Sequence, residues 1–268
     1  MIIELSEFFN NPSLVNIGFL KIQYYAVTWV LSAVFIFQYL KNHFIIKELG
    51  LTEEQANDIV FLYGLIFGAM LGGRVGYMLF YGLDQLMANP ISLFFVWEGG
   101  LSFHGGLMGV ITSLYVYSIK QAISFLRLAD AVCAAMPIGL GLVRIGNFLN
   151  GELYGRPTDG SWGFIFPTDP YGLPRHPSQL YEMLFEGIIL FLLLIWIGKN
   201  TNKTGVLSGS FLMGYGVIRF FIEFFRQPDA HMGFIALQLS MGQILSIPMF
   251  MIGLILLIKS LKKYEAIS

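Results

Sequence analysis

Apolar runs about 17 to 25 residues long, broken by short polar stretches, recur along the whole chain. Seven stand out, at 23–41, 58–81, 104–120, 128–148, 177–197, 206–225 and 239–258. A helix rises about 1.5 Å per residue, so about 20 apolar residues match a bilayer's hydrocarbon core. The pattern therefore predicts an all-α polytopic membrane protein with seven transmembrane helices. The fourth run holds Asp130, Pro137 and Arg144 and admits a loop reading. Its "AVCAAMPIGLGLV" is nevertheless apolar enough to insert when neighbouring helices surround it. Residues 1–268 then make one integral-membrane domain, with an irregular Gly-, Pro- and Asp-rich segment at about 149–176 on the outer face.

Along the second run Gly64, Gly68, Gly72 and Gly76 recur every fourth residue, a small-residue stripe that predicts close helix contact and no chemistry. Orientation follows from basic residues beside the run ends, because cytoplasmic loops collect Lys and Arg. An outside N-terminus and cytoplasmic C-terminus put Lys41, Lys47, Lys120, Arg127, Lys199, Lys203, Lys259, Lys262 and Lys263 inside the cell. Lysine is then topogenic. Arginine is not: Arg74, Arg144, Arg156, Arg175, Arg219 and Arg226 all fall in the outer half or beyond it. The planar guanidinium fork suits phosphate and carboxylate recognition.

Composition agrees with a membrane chain. Of 268 residues, 56% are hydrophobic and 12% charged, too few polar groups to coat a soluble globule of this size. A net charge of −1 gives no basic excess for nucleic acid. No phosphate-loop, CxxC or HExxH spacing is present, so no metal or cofactor is expected. The single cysteine, Cys133, excludes an intramolecular disulfide and is expected as a packing residue. The N-terminal "MIIELSEFFNNPSL" lacks a basic flank, so no cleaved signal is expected.

Once each helix has a direction, each intramembrane polar residue has a depth. Arg74, Arg144 with Asn147, and Arg219 with Glu223 lie toward the outer ends of outward-running helices. Tyr24, Tyr25, His104, and Glu182 with Glu186 lie toward the outer starts of inward-running ones. Each buried charge costs about 2.5 to 3.5 kcal/mol even on a mild insertion scale, so their convergence on one leaflet predicts a polar chamber there. Tyr215, Arg219 and Glu223 share one helical face, as do Ser178, Glu182 and Glu186. The alternative is an ion-paired network that only holds helices together. His104, flanked by glycines in "FHGGLMG", is either a proton acceptor or a helix-start histidine bonded to a carbonyl.

Four blocks, "FHGGLMG", "RIGNFLNGELYGRP", "RHPSQLYE" and "YGVIRFFIEFFRQPD", in this order and within a stretch from about Tyr24 to Pro248, closely resemble the prolipoprotein diacylglyceryl transferases of bacterial inner membranes. The resemblance implies a seven-helix enzyme of the cytoplasmic (inner) membrane whose active site opens to the outer leaflet. It implies transfer of the diacylglyceryl group of phosphatidylglycerol to the thiol of a lipobox cysteine in a preprolipoprotein, giving a thioether and glycerol 1-phosphate. By similarity His104 is the catalytic histidine and Arg144 binds phosphatidylglycerol. Tyr25, Asn147, Glu152, Gly155, Arg219 and Glu223 match other positions the family uses.

The residues suit that chemistry. Arg144 and Arg219 supply charge-assisted bonds to a departing phosphate, and His104 serves as base for a thiol with a pKa of about 8.5. Glu223 orients Arg219, while Asn147, Tyr25 and Tyr215 line the lipid's polar end. A transporter or anion channel is the rival from another class, since intramembrane Arg and Glu also mark ion paths. It would need polar groups through both leaflets or an inverted repeat, and the inner half carries little besides Asp130.

Overall fold

The computed structural model describes residues 1–5, 13–17, 20–96, 99–227, 234–236 and 239–265. Each of the seven apolar runs is a helix. These are α1 (Tyr24–Asn42), α3 (Glu53–Phe80), α5 (Phe103–Lys120), α6 (Phe125–Leu149), α7 (Ser178–Asn200), α8 (Val206–Ile222) and α9 (Met241–Glu265). Two short helices join them, α2 (Phe44–Glu48) and α4 (Leu83–Ala88). Four helices are long and apolar enough to cross a membrane: α3, α6, α7 and, over Met241–Lys262, α9. Large apolar side chains such as Phe80, Phe103, Ile119, Trp196 and Phe221 are more than half exposed, as a lipid-facing surface requires and a water-facing one resists.

Local signals fix several helix ends. Thr52 and Gln55 form a reciprocal capping box that starts α3. Ser102 accepts from the Gly105 amide at 3.3 Å to start α5, and Gly205, with φ of +89°, precedes α8. Wide i→i+5 turns run through Asp58–Gly72 in α3 and Met183–Ile189 in α7.

The expectation of purely helical structure is corrected in the connectors. Strand β1 (Ile2–Glu4) pairs in parallel with β4 (Gly163–Ile165), which pairs antiparallel with β5 (Pro174–Arg175). Hairpins join β2 (Ser13–Ile17) to β3 (Leu20–Gln23), and β6 (Phe234–Ala236) to β7 (Leu239–Ser240). Strands of two to five residues are too short to leave a hydrophobic period.

The chain falls into two compact units, residues Met1–Ile36 with Val132–Ser268, and residues Phe37–Ala131. In the second unit the glycine stripe packs α3 on α5. A Cβ on Gly72 would lie 2.7 Å from the Gly105 carbonyl oxygen and from Gly109 Cα, and one on Gly76 would lie 2.7 Å from Gly105 Cα. Gly68 meets Val110 in the same way, whereas Gly64 meets only its own helix. Arg127 of this unit ties Glu48 to Asp130, which is fully buried.

The first unit packs α1, α6, α7, α8 and α9. Gly139 sits against Ile36 and Ser32, and the Ser32 hydroxyl donates to the Gly139 carbonyl at 3.0 Å. A Cβ on Gly187 would lie 2.9 Å from Gly141 Cα, and one on Gly216 would lie 3.0 Å from the Phe250 amide nitrogen. Small residues thus set backbone distances at each of these crossings.

Candidate active site

Three helices of the first unit bring their charged residues to one place. Glu182, 1% exposed, is the hub. It pairs with Arg144 Nε from α6, with Arg219 Nη1 from α8 at 3.3 Å, and with Arg226 Nη1, in the turn after α8, at 3.1 Å. Glu223 pairs with Arg219 Nη2, lies 3.6 Å from Arg226 Nε, and accepts from the Ser240 hydroxyl at 2.6 Å. Glu186, also 1% exposed, lies 3.6 Å from Arg219 Nη1, and neither of its oxygens accepts a hydrogen bond among the described residues. Arg144, Arg219 and Arg226 therefore face Glu182, Glu186 and Glu223, three cations against three anions.

The block that follows α6 closes one side. Arg144 Nη1 donates to the Asn147 amide oxygen at 3.0 Å, and the Asn147 amide donates to Glu152 at 2.8 Å. The Glu152 carbonyl accepts from Gln179 at 2.6 Å, which joins this turn to the start of α7. Gly155 is held between backbones: its amide donates to the His176 carbonyl at 2.8 Å, and a Cβ there would lie 2.7 Å from that oxygen. Gly155 is thus a position of close approach. Arg156 donates to the carbonyls of Arg226 and Glu223, fixing the turn that carries Arg226.

Tyr25 comes near this block through Gly146, where a Cβ would lie 3.2 Å from Tyr25 Cα. Tyr215 stands one turn before Arg219, its ring 5.9 Å from that of Phe211, and within electrostatic reach of Glu186, Arg219 and Arg144. An apolar groove lined by Val217, Phe220, Phe221, Ile247 and Phe250 runs between α8 and α9 beside the Arg219 turn.

The outer loop is held by a buried ion pair. Arg175 Nε and Nη2 donate to Asp169 at 2.6 and 2.9 Å, and the guanidinium lies 4.9 Å from the centre of the Tyr154 ring. Burial would raise the Asp169 carboxyl, but hydrogen bonds from Arg175, Leu173 and Tyr171 outweigh it and hold the group below the usual carboxylate range.

His104 belongs to the second unit, at the first turn of α5. Its ring lies 5.7 Å from that of Phe103, is exposed, and makes no hydrogen bond among the described residues, so the carbonyl-bonded alternative is not what the structure has. Arg74, buried and expected to join the polar chamber, donates to the carbonyls of Ser92 and Gly99. With Gly99 and Gly100 at φ of +82° and +72°, it holds the turn that leads to His104.

Arg144, Asn147, Glu152, Arg219 and Glu223 are thus joined in one hydrogen-bonded and ion-paired cluster, with Tyr25, Gly155 and Tyr215 around it. The sequence reading missed two members. Glu182 was legible as a helix-face residue but not as the hub, and Arg226, seven residues after Arg219, continues that face past the helix end.

Mostly helical, with four helices fit to cross a membrane and buried Arg–Glu pairs within them, this is the interior of a membrane protein that handles charge. Known proteins say which. The family model for prolipoprotein diacylglyceryl transferase matches residues 12–259. A phosphatidylglycerol–prolipoprotein diacylglyceryl transferase of Geobacter sulfurreducens is 46% identical over 244 residues, 91% of this chain and 93% of the relative. Those of Idiomarina loihiensis and Bordetella avium are 46% and 43% identical, covering 94% of this chain in each case and 94% and 96% of the relatives. The chain belongs to the prolipoprotein diacylglyceryl transferase family.

Proposed function

We propose that the protein transfers the diacylglyceryl group of phosphatidylglycerol to the thiol of a lipobox cysteine in a preprolipoprotein, the first step of lipoprotein maturation. The observation that carries this reading is near-full-length identity to transferases named for that lipid and that protein substrate. The two units act as one transferase domain in the bacterial inner membrane. All seven long helices cross it, with the N-terminus outside, the C-terminus cytoplasmic and the site open to the outer leaflet.

The cluster supports the reading through the hydrogen-bonding capacity it leaves. Arg219 Nη1 is buried yet makes no hydrogen bond, and Arg144 Nη2 has no partner among the described residues. Those N–H groups suit a phosphate oxygen, in a water-poor place where charge-assisted bonds are short and strong. Asn147, Tyr25 and Tyr215 line the glycerol and ester oxygens. The groove beside Val217 and Phe221 offers apolar surface to an acyl chain.

His104 takes the proton of the cysteine thiol, since only the thiolate attacks well. The sulfur attacks the glyceryl carbon that carries the phosphate, the carbon–sulfur bond forms, and the carbon–oxygen bond to phosphate breaks. Glycerol 1-phosphate leaves with the bonding pair, its growing charge met by Arg144 and Arg219.

The test is peptide-dependent release of glycerol 1-phosphate by the purified protein. Release with phosphatidylglycerol and a lipobox peptide, and none when its cysteine is replaced by serine, is the expected result. Release that ignores the peptide would replace transfer by lipid hydrolysis.

A further inference from the structure

The three carboxylates of the cluster are not held alike. Glu182 meets three arginines, and Glu223 meets two arginines and the Ser240 hydroxyl. Glu186 meets one arginine, at 3.6 Å, and accepts no hydrogen bond. The groups facing it are Glu182 on its own helix, Arg144 from α6, Tyr215 and Arg219 from α8, and Arg226 beyond it. With all six charged groups ionised, the cluster is neutral.

A phosphodiester is a fourth anion. Seated on Arg219 Nη1 it would stand beside the Glu186 carboxylate, in a place where charge is poorly screened and each uncompensated ion costs several kcal/mol. Glu182 and Glu223 are held by short contacts to cations. Glu186 is the acid whose charge is least compensated, so neutralising it costs least. A protonated Glu186 also becomes a donor and can bond the phosphate oxygen it would otherwise repel.

We propose that Glu186 is the charge-balancing residue of the lipid site, taking one proton from water when the phosphatidylglycerol headgroup binds and returning it when the phosphate leaves. The proposal rests on the reading of Arg144 and Arg219 as the headgroup site. Glu186 is a positioning residue in this scheme: it fixes how much of the arginines' charge is available to the lipid. No bond to carbon is made or broken by it.

The test is calorimetric titration of the purified protein with phosphatidylglycerol micelles at pH 7.5, in two buffers of different ionisation enthalpy, with phosphatidylcholine as the neutral-headgroup probe. The difference between buffers counts protons. Wild-type protein is expected to take up close to one proton per phosphatidylglycerol and to bind it more weakly by up to about tenfold per pH unit toward pH 9. Glu186→Gln, neutral at every pH, is expected to take up none and to bind with an affinity nearly flat in pH. Phosphatidylglycerol binding by wild type with no proton uptake overturns the proposal without need of the variant, as does a variant that keeps the wild-type slope. No preference for phosphatidylglycerol over phosphatidylcholine in either protein overturns the headgroup reading itself, and Glu186's role with it.

Discussion

Arg144 uses two edges of its guanidinium at once, Nε on Glu182 and Nη1 on Asn147, and has a third to offer. A lysine keeps the charge and loses that geometry. Arg144→Lys should therefore lower kcat/KM by at least about tenfold, about 1.4 kcal/mol of transition-state stabilisation, in an assay of purified protein. Near-normal transfer would mean that charge alone matters there. His104→Gln should fold normally, since glutamine keeps a donor and an acceptor, yet lose roughly 100-fold or more in rate. Part of that loss should return as pH approaches about 8.5, where the thiol ionises unaided, which a rate profile from pH 6 to 9 would reveal. His43, outside the long helices, gives a stability counterpart. Burial first and then Arg127 push its imidazole down to about 4, so the unfolded chain binds its proton from about pH 6.5 downward and the folded one resists. Its stabilising effect is whole above pH 6.5 and shrinks as pH falls toward 4. His43→Asn, which keeps an acceptor for the Ile45 amide, should flatten the melting-temperature profile across that window.

At the scale of elements, the sequence was most legible where one physical demand dominates. Runs long enough for a bilayer became helices whose ends match closely, as 104–120 against Phe103–Lys120 and 128–148 against Phe125–Leu149. The fourth run, the doubtful one, is among the four fit to span because its Asp130 lies in the first turns, held by Arg127. What the pattern did not carry is pairing between elements. Arg144, Glu182 and Arg219 were each readable as inward-facing, but that Glu182 would meet three arginines depends on how α6, α7 and α8 cross. The glycine stripe is an intermediate case, legible as a contact without its partner. Gly72→Ala would press a methyl onto the backbone of α5 at 2.7 Å, and backbone cannot step aside. Loss of about 1 to 3 kcal/mol is expected, measured as a lower melting temperature in detergent, together with reduced transfer because α5 carries His104. In the outer loop, Asp169→Asn removes a carboxylate held below its usual range. Wild-type stability from this pair is present above the unfolded value near 3.9 and disappears as pH falls through the lower folded value, whereas the variant should melt lower at neutral pH and show less of that acid decline.

For the whole molecule, polar groups define one end and lysines the other. If the N-terminus lies outside, cysteines introduced at the exposed positions Asp159 and Asn202 should label from opposite sides of intact cells, Asp159 from outside. Labelling of both from one side would break the seven-span arrangement and with it the outer-leaflet chamber. The same arrangement requires that lipid and peptide meet at His104 and the Arg144–Arg219 cluster, and that sulfur, not oxygen, receives the glyceryl carbon. Mass spectrometry of a synthetic lipobox peptide after incubation with purified protein and phosphatidylglycerol tests this most directly. The expected result is a gain of one diacylglyceryl group on the cysteine, stable to hydroxylamine as a thioether is, and absent with Arg144→Lys and His104→Gln under the same brief incubation. An unmodified peptide, or an adduct that hydroxylamine removes, would contradict it.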